Sequence, residues 1–166
     1  MTAQILPEFS RLIYTFDIGL GETNINISAN TTECEALADR FSIKKLQYLS
    51  ASLNFAKSNR REKLQLNAYY VAKIIQICVV TLEPLTNIIH GEFSSRLVQK
   101  DQYDSKKSFI FDFNDLDQTE IMDDGYFDAG ELVSEFLSLE INPFPRSNNA
   151  EFEKETVLLY FNGVFL

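Results

Sequence analysis

The sequence predicts one α+β domain with a mostly antiparallel β-sheet, a long basic hairpin and two short helices. Apolar and polar residues alternate with a period of two along two adjacent stretches, which is typical of strands that bury one face. A helix-capping pattern lies on each side of these stretches. The chain has 166 residues, enough for one core without disulfides or metal. We expect a core at about 8–146 and a tail, 147–166, whose order is left open.

The first elements are predicted to be short. Residues 10–18 and 23–28 are expected to form strands on either side of the turn Gly19-Leu20-Gly21. Thr32 and Glu35 have the spacing of a capping box, with threonine at the N-cap and glutamate at N3. A short helix is therefore expected from there to about Phe41.

The long hairpin is the clearest pattern in the sequence. Apolar residues alternate with polar ones over 49–55 and again over 63–74. The turn between these strands is Ser58-Asn59-Arg60-Arg61, and the basic side chains at this tip are expected to lie in solvent. Leu46 and Tyr48 are out of phase with the first strand, which predicts a β-bulge near Tyr48.

Three further strands and an acidic linker are predicted after the hairpin. Residues 74–80 are apolar on both faces and are expected to form a central strand that Pro84 ends. Residues 85–98 and 109–113 also alternate as strands do. Residues 114–126 are acidic and are expected to be a loose linker.

The second helix has clear start and stop signals. Asp128 is expected to be its N-cap, with Glu131 at N3 and Asn142-Pro143 as the stop. Its apolar stripe is predicted to contain Leu132, Val133, Phe136 and Leu137.

Charge is distributed unevenly along the chain, which carries a net charge of −9. Residues 40–82 contain eight basic residues and one acid, a net of +7. Residues 101–140 contain twelve acids and two lysines, a net of −10. Such blocks suggest a basic face and an acidic face, although charges that merely keep the surface hydrated are an equally good interpretation.

Motifs for catalysis, metal binding or cofactor binding are absent from the sequence. His90 is the one histidine, and Cys34 and Cys78 are too far apart for a Cys-x-x-Cys pair. The acidic residues from Asp112 to Asp124 do not match an EF-hand loop, and no Gly-rich phosphate loop occurs. We therefore expect a protein that is not an enzyme and binds no cofactor or metal.

Three ordered motifs resemble a known family. Residues 78–84 read C-V-V-T-L-E-P, residues 128–133 read D-A-G-E-L-V, and residues 142–146 read N-P-F-P-R. They are similar to the motifs of the bacterial YceD family, and the resemblance covers about 8–153. The motif residues are Cys78, Leu82, Glu83, Pro84, Asp128, Gly130, Glu131, Leu132 and Pro143, and we interpret most of them as structural.

The resemblance implies a role in the accumulation of large-subunit ribosomal RNA and in assembly of the large subunit. It brings no catalytic residues with it. Many members have a second cysteine where this chain has Thr81, so a zinc role for a cysteine pair is lost here. The apolar end of the chain, 157–166, also departs from the polar tails of the family.

Two modes of action remain open. In the first, the basic hairpin contacts large-subunit rRNA or a pre-ribosomal particle, with Tyr69 and Tyr70 either stacking on bases or packing on the sheet. The candidate RNA-binding residues are Lys44, Lys45, Lys57, Arg60, Arg61, Lys63 and Lys73. In the second, the acidic residues at 101–140 hold a basic ribosomal protein before its assembly.

The expected location and assembly state rest on the apolar segments of the chain and on its N-terminus. No apolar run is long enough to span a membrane, and the N-terminus does not resemble a secretory signal, so a cytoplasmic protein with no membrane partner is expected. A homodimer that uses the apolar tail is a further possibility.

Overall fold

The alternation of apolar and polar residues along the long hairpin determines which face of the sheet is buried. The computed structural model describes residues 7–58, 63–100, 118–122 and 125–147. Its elements, in chain order, are β1 (Leu12–Tyr14), β2 (Gly21–Ser28), α1 (Thr31–Arg40), β3 (Lys45–Ser58), β4 (Lys63–Ile77), β5 (Pro84–Gln99), β6 (Gln118–Met122), β7 (Tyr126–Asp128) and α2 (Ala129–Glu140). The predicted α+β class, with a mostly antiparallel sheet and two helices, is confirmed.

Five strands form the large sheet in the order β2-β3-β4-β5-β6. All neighbours are antiparallel except β5 and β6, which are parallel. The long hairpin β3–β4 lies at the centre, and β4 is the middle strand. The remaining strands, β1 and β7, form a separate antiparallel pair.

The core lies on one side of the large sheet. Even-numbered residues of β4, from Leu64 to Ile74, are buried together with Leu49, Ala51, Leu53 and Phe55 of β3. Phe136 of α2 stacks on Phe93 of β5 with ring centroids 3.9 Å apart, and Phe127 of β7 contacts Phe55 at 5.9 Å. Leu37 of α1 belongs to the same core cluster. The helices and the small sheet therefore cover the same face.

The hairpin prediction is confirmed in its main features. β3 and β4 pair from Lys45 to Ser58, and the register shifts between Leu46 and Tyr48, where a bulge was predicted. The bulge lets Leu46 point into the core although its phase differs from that of Leu49. The tip, 59–62, lies outside the described residues.

Several predicted boundaries are wrong. The first strand spans only Leu12–Tyr14. The N-cap of α1 is Asn30 rather than Thr32: the Asn30 side chain accepts a hydrogen bond from Glu33 N, and the Glu33 carboxylate accepts one from Asn30 N. The sequence holds the same capping spacing two residues earlier, and asparagine ranks above threonine as an N-cap.

Two later predictions are also corrected. No separate strand spans 74–80, because β4 continues to Ile77, and Pro84 begins β5 instead of ending a strand. Proline is tolerated at the first position of a strand. The linker at 114–126 contains β6, which pairs with β5. The strand predicted at 109–113 and the tail beyond 147 lie outside the described residues.

The start of α2 is held against the N-terminal segment. Asp128 is the N-cap, as predicted, and its carboxylate accepts hydrogen bonds from Gly130 N, Glu131 N and Arg11 N. A Cβ built on Gly130 would lie 2.4 Å from the carbonyl oxygen of Phe9. Glycine is therefore required at 130 by the close approach of two backbones.

We predict that Gly130→Ala lowers the free energy of unfolding by about 1–3 kcal/mol, the usual cost of overpacking. Helix propensity alone predicts the opposite sign, because alanine is favoured over glycine inside a helix by about 1 kcal/mol. Urea unfolding monitored by circular dichroism measures the difference. Gly19→Ala is the matched control, since nothing lies within 4 Å of a Cβ built there. A Gly130→Ala variant as stable as the wild type would contradict the close approach.

Candidate nucleic-acid interface

None of the described helices and strands covers the face of the large sheet opposite the core. This outer face consists of the odd-numbered residues of β4 and the residues that pair with them in β3 and β5, continued into β2 by Glu22, Asn24, Asn26 and Ser28. Among the side chains that the structure describes here, none is buried. Any ligand that the sheet binds through its side chains can therefore approach from this side.

Lys57 does not face solvent as expected. It pairs with Leu64 and lies on the core side of β3, at the edge of the buried layer. Its ammonium donates hydrogen bonds to the carbonyl oxygens of Thr15 at 2.9 Å and Ile18 at 3.0 Å. These two hydrogen bonds join the 15–18 turn to the hairpin, and an RNA contact by Lys57 stays a prediction.

The other described candidate basic residues lie at one end of the hairpin. Lys44 and Lys45 are exposed at the start of β3, and Lys73 is half-buried on the outer face nearby. At about 3.4 Å per residue, they are separated from the end of β3 by about 40 Å. Arg60 and Arg61 lie outside the described residues, as does the side chain of Lys63.

Lys45 and Lys73 are close neighbours on the outer face. Lys45 pairs with Ile75, two residues along β4 from Lys73, which places the two lysines on one diagonal of the sheet. Tyr48 pairs directly with Lys73 and is 40% exposed. This end of the outer face thus combines two cations with an aromatic ring.

The structure separates the neighbouring tyrosines of β4. Tyr70 points to the core, is 5% exposed, and lies against Gly91 and the ring of Phe93. Tyr69 points the other way and is 60% exposed. Its cross-strand partners, Ser52 and Glu92, give it no apolar neighbour to pack against. Packing on the sheet therefore explains the position of Tyr70, whereas the ring of Tyr69 is exposed and free to stack on a ligand.

Tyr69 stands between two depressions in the outer face. The larger, about 520 Å³, crosses four strands, and its lining includes Asn26, Ser28, Ser50, Ser52, Tyr69, Val71 and His90. The smaller, about 320 Å³, lies towards Asn67, Glu92 and Ser94. The concavity arises because β2 and β3 carry small side chains here, whereas Tyr69 and His90 are large.

The first and third family-like motifs meet at the turn that begins with Cys78. Its sulfur accepts hydrogen bonds from the backbone N–H groups of Thr81 and Ser147, both at 3.3 Å. Hydrogen bonds from Thr81, by its hydroxyl and its backbone, lower the pKa of Cys78 to about 6, against the opposing effect of burial. Burial instead raises the pKa of Cys34. The two thiols therefore have different electrostatic environments.

The turn after Cys78 is fastened to the segment after α2. Val79 N donates to Pro145 O at 2.9 Å, and the Gln76 amide donates to Asn142 O at 2.8 Å. Leu82 has a positive φ of 58° and is 74% exposed, an unusual conformation for leucine. Glu83 and Pro84, which follow it, are exposed, as is Pro143 on the opposite segment. The contacts of Cys78 and Gln76 give this turn a structural role.

Two arginines tie the N-terminal segment to both helices. Arg11 forms a two-pronged ion pair with Glu33 of α1, with distances of 2.7 and 2.9 Å. Arg40 of α1 contacts Glu131 of α2 at 2.7 and 2.8 Å and Glu8 at 3.0 Å. The Arg11 hydrogen bond lowers the pKa of Glu33. Glu131 thus joins the two helices, and Leu132 beside it is buried in the core.

Candidate metal ligands do not cluster in the part of the chain that the structure describes. No group of three or more His, Cys, Asp and Glu residues suited to a metal ion occurs there. Of the acidic residues considered for an EF-hand, Glu120 is described, and burial raises its pKa. His90 lies exposed on the outer face, far in sequence from either cysteine.

Comparisons with protein-family models, with curated proteins and with solved structures find no match. Neither described helix is long and apolar enough to cross a bilayer. α1 has 10 residues and α2 has 12.

Sequence reasoning missed several of these functional and structural residues. The position of His90 diagonally across from Tyr69 depends on the β4–β5 register, and that of Tyr48 opposite Lys73 depends on the bulge in β3. Side chains at odd and even positions of a strand point to opposite faces, so the alternation in the sequence indicates that Tyr69 faces away from Tyr70. Lys57 has an odd number, like the buried residues of β3 from Leu49 to Phe55. The same alternation therefore indicates that its side chain lies on the core side.

We predict that Lys57→Gln lowers the free energy of unfolding by about 1.5–3 kcal/mol, because hydrogen bonds from a charged donor to two carbonyl groups are lost. Lys73→Gln, on the outer face of the same hairpin, should change it by less than about 0.5 kcal/mol. Urea unfolding of both variants makes the comparison. Equal stabilities would contradict the contacts of Lys57 with the 15–18 turn.

We predict that the Cys78 thiolate stabilises the fold at alkaline pH. Because the pKa is lower in the folded chain than in the unfolded one, this contribution is fully present above about pH 8.5, the usual thiol pKa, and is lost as pH falls through about 6. The melting temperature of the wild type should therefore rise between pH 6 and pH 8.5 relative to that of Cys78→Ser. Ultraviolet absorbance of the thiolate gives the pKa independently, with Cys34→Ser as the background for this titration. If the melting temperatures of the wild type and of Cys78→Ser change with pH in the same way, the pKa of Cys78 is not lowered.

Proposed function

We propose that this protein is a non-enzymatic, cytoplasmic factor in large ribosomal subunit biogenesis, needed for accumulation of large-subunit rRNA, and that it contacts this RNA directly. The proposal starts from the resemblance of its three motifs to those of the YceD family. Lys44, Lys45 and Lys73, with the residues of the hairpin tip, supply positive charge for phosphate contacts. Lys57 is given a smaller part in this contact, because two of the three donors of its ammonium are bonded to backbone carbonyl groups.

The contact between the first and third motifs carries the proposal. Cys78 and Ser147 are 69 positions apart, yet the Ser147 N–H donates to the Cys78 sulfur. Val79 likewise donates to Pro145. Short matches that arise by chance have no reason to meet in the folded chain. This contact supports the view that the first and third motifs belong to one signature.

A protein adaptor is the second candidate function. The surface of α2 combines exposed Glu135 and Glu140 with Leu139, which is 80% exposed, and Phe144 follows at 69%. An acidic and apolar surface of this kind suits a basic ribosomal protein, because charge complementarity guides its approach while the apolar side chains are buried.

Depletion of the protein from growing cells tests the biogenesis role. We expect the ratio of large-subunit to small-subunit rRNA to fall, and a plasmid copy of the gene to restore it. A Leu139→Ser copy should restore the ratio if RNA contact is the essential activity, and should fail if α2 holds a protein. An unchanged ratio after depletion would contradict the role in biogenesis itself.

Affinity purification of the tagged protein separates the two modes of contact. Direct RNA binding predicts that large-subunit rRNA is retained at low salt and lost at high salt, because phosphate contacts release counterions. The adaptor predicts a ribosomal protein that stays bound after nuclease treatment. Retention of such a protein without any rRNA would overturn the RNA-binding mode.

A further inference from the structure

We propose that the outer face of the large sheet is a platform for single-stranded RNA, on which Tyr69 stacks against bases while Lys45 and Lys73 hold the phosphates. This inference rests on the proposed function for the kind of nucleic acid, and it moves the main contact from the hairpin tip to the sheet.

Tyr69 has the exposure that a stacking residue needs. Its side chain is 60% exposed in the middle of the sheet, whereas the adjacent Tyr70 is 5% exposed. An aromatic ring that projects from a strand without an apolar cross-strand partner contributes little to sheet stability. Stacking of a base on such a ring contributes about 1–3 kcal/mol to RNA binding and requires no particular base, since every base has a π-face.

The depressions on either side of Tyr69 have the dimensions of stacked bases. Residues two apart on one face of a strand are separated by about 6.8 Å. This distance is twice the rise of about 3.4 Å between stacked bases. Tyr69 and Val71 therefore leave space for one planar ring between them, with His90 beside Val71 on β5. A second ring fits on the other side of Tyr69, towards Asn67.

Polar groups around the larger depression suit a ribose. Asn26, Ser28, Ser50 and Ser52 line it opposite Tyr69 and His90. Hydroxyl and amide groups can donate to and accept from the ribose 2′-OH, which distinguishes RNA from DNA. Four other polar residues of this face are hydrogen-bonded in pairs: Ser94 donates to Asn67, and Asn54 donates to Asn24. The depression thus combines stacking surfaces with hydrogen-bonding groups.

The charged side chains around the outer face determine where the phosphates of a bound RNA lie. Lys45 and Lys73 lie diagonally on the outer face beside Tyr48, and Lys73 is two residues from Val71. Exposed Lys44 adjoins them at the start of β3. Glu92, next to Tyr69, repels phosphate on the other side. The helices on the opposite side of the sheet carry acidic residues, namely Glu33, Glu35, Asp39, Glu131, Glu135 and Glu140. RNA is therefore drawn to the sheet face and towards the start of β3.

Fluorescence anisotropy with a labelled oligoadenylate of about 12 nucleotides tests this platform. Tyr69→Ala in the full chain should weaken binding by about 5- to 150-fold, whereas Tyr69→Phe, which keeps the ring, should bind as the wild type does. Phe16→Ala is the matched control, because Phe16 is an aromatic residue that is 78% exposed and lies off this face. Urea unfolding of each variant checks that the fold is intact.

The salt dependence of RNA binding in charge variants is a second test of the platform. Replacing both Lys45 and Lys73 by glutamine should reduce the slope of log K against log salt by about 1.4, at about 0.7 per phosphate contact on a single strand. Glu92→Gln should strengthen binding because it removes a repulsive charge. A double lysine variant with the slope of the wild type would overturn the assignment of these phosphate contacts.

The outcomes separate this inference from the proposed function. Loss of oligoadenylate binding in Tyr69→Ala, with an rRNA ratio that does not respond to depletion, supports the platform and contradicts the role in ribosome biogenesis. Wild-type binding that survives Tyr69→Ala but is lost in a double Arg60→Gln, Arg61→Gln variant overturns the platform and places RNA at the hairpin tip. Absence of binding by the wild type also overturns the platform, and depletion then tests the biogenesis role by itself.

Discussion

Burial of only one face of the central sheet is the constraint on which the rest of the structure depends. Alternation along β3 and β4 places every second side chain in one apolar layer, and both helices with the small sheet cover that layer. The chain has no further described element on the other side. Polar and aromatic side chains of the outer face are consequently exposed, and the depressions beside Tyr69 exist because nothing in the described chain fills them.

The motif residues stabilise the ends of this arrangement. At one end, Glu131 and Gly130 hold α2 against α1 and the N-terminal segment, the first through Arg40 and the second by leaving room for the Phe9 carbonyl group. At the other end, the Cys78 turn is fastened to the segment after α2. These contacts join parts of the chain that are distant in sequence. The contacts of these residues are therefore structural ones.

Local patterns in the sequence predicted the fold class, the hairpin, its bulge and the Asp128 cap, because each depends on neighbouring residues. Predictions failed where a distant contact decides the outcome. β6 is a strand because β5 pairs with it, although it lies within an acidic stretch of the sequence. Lys57 counts as part of a basic cluster in sequence, but the 15–18 turn binds its ammonium. The candidate interface was predictable only in part: alternation indicates that Tyr69 faces outward, whereas its position near His90 and the lysines requires the strand register.

The central claim is that RNA meets the protein on the open face of the sheet. Ultraviolet crosslinking in growing cells, followed by mass spectrometry of the crosslinked peptides, tests it most directly. The structure predicts crosslinks from large-subunit rRNA to Tyr69 and to Tyr48, and none to the buried Tyr70 on the same peptide as Tyr69. Crosslinks confined to α2 or to the small sheet of β1 and β7 would contradict it.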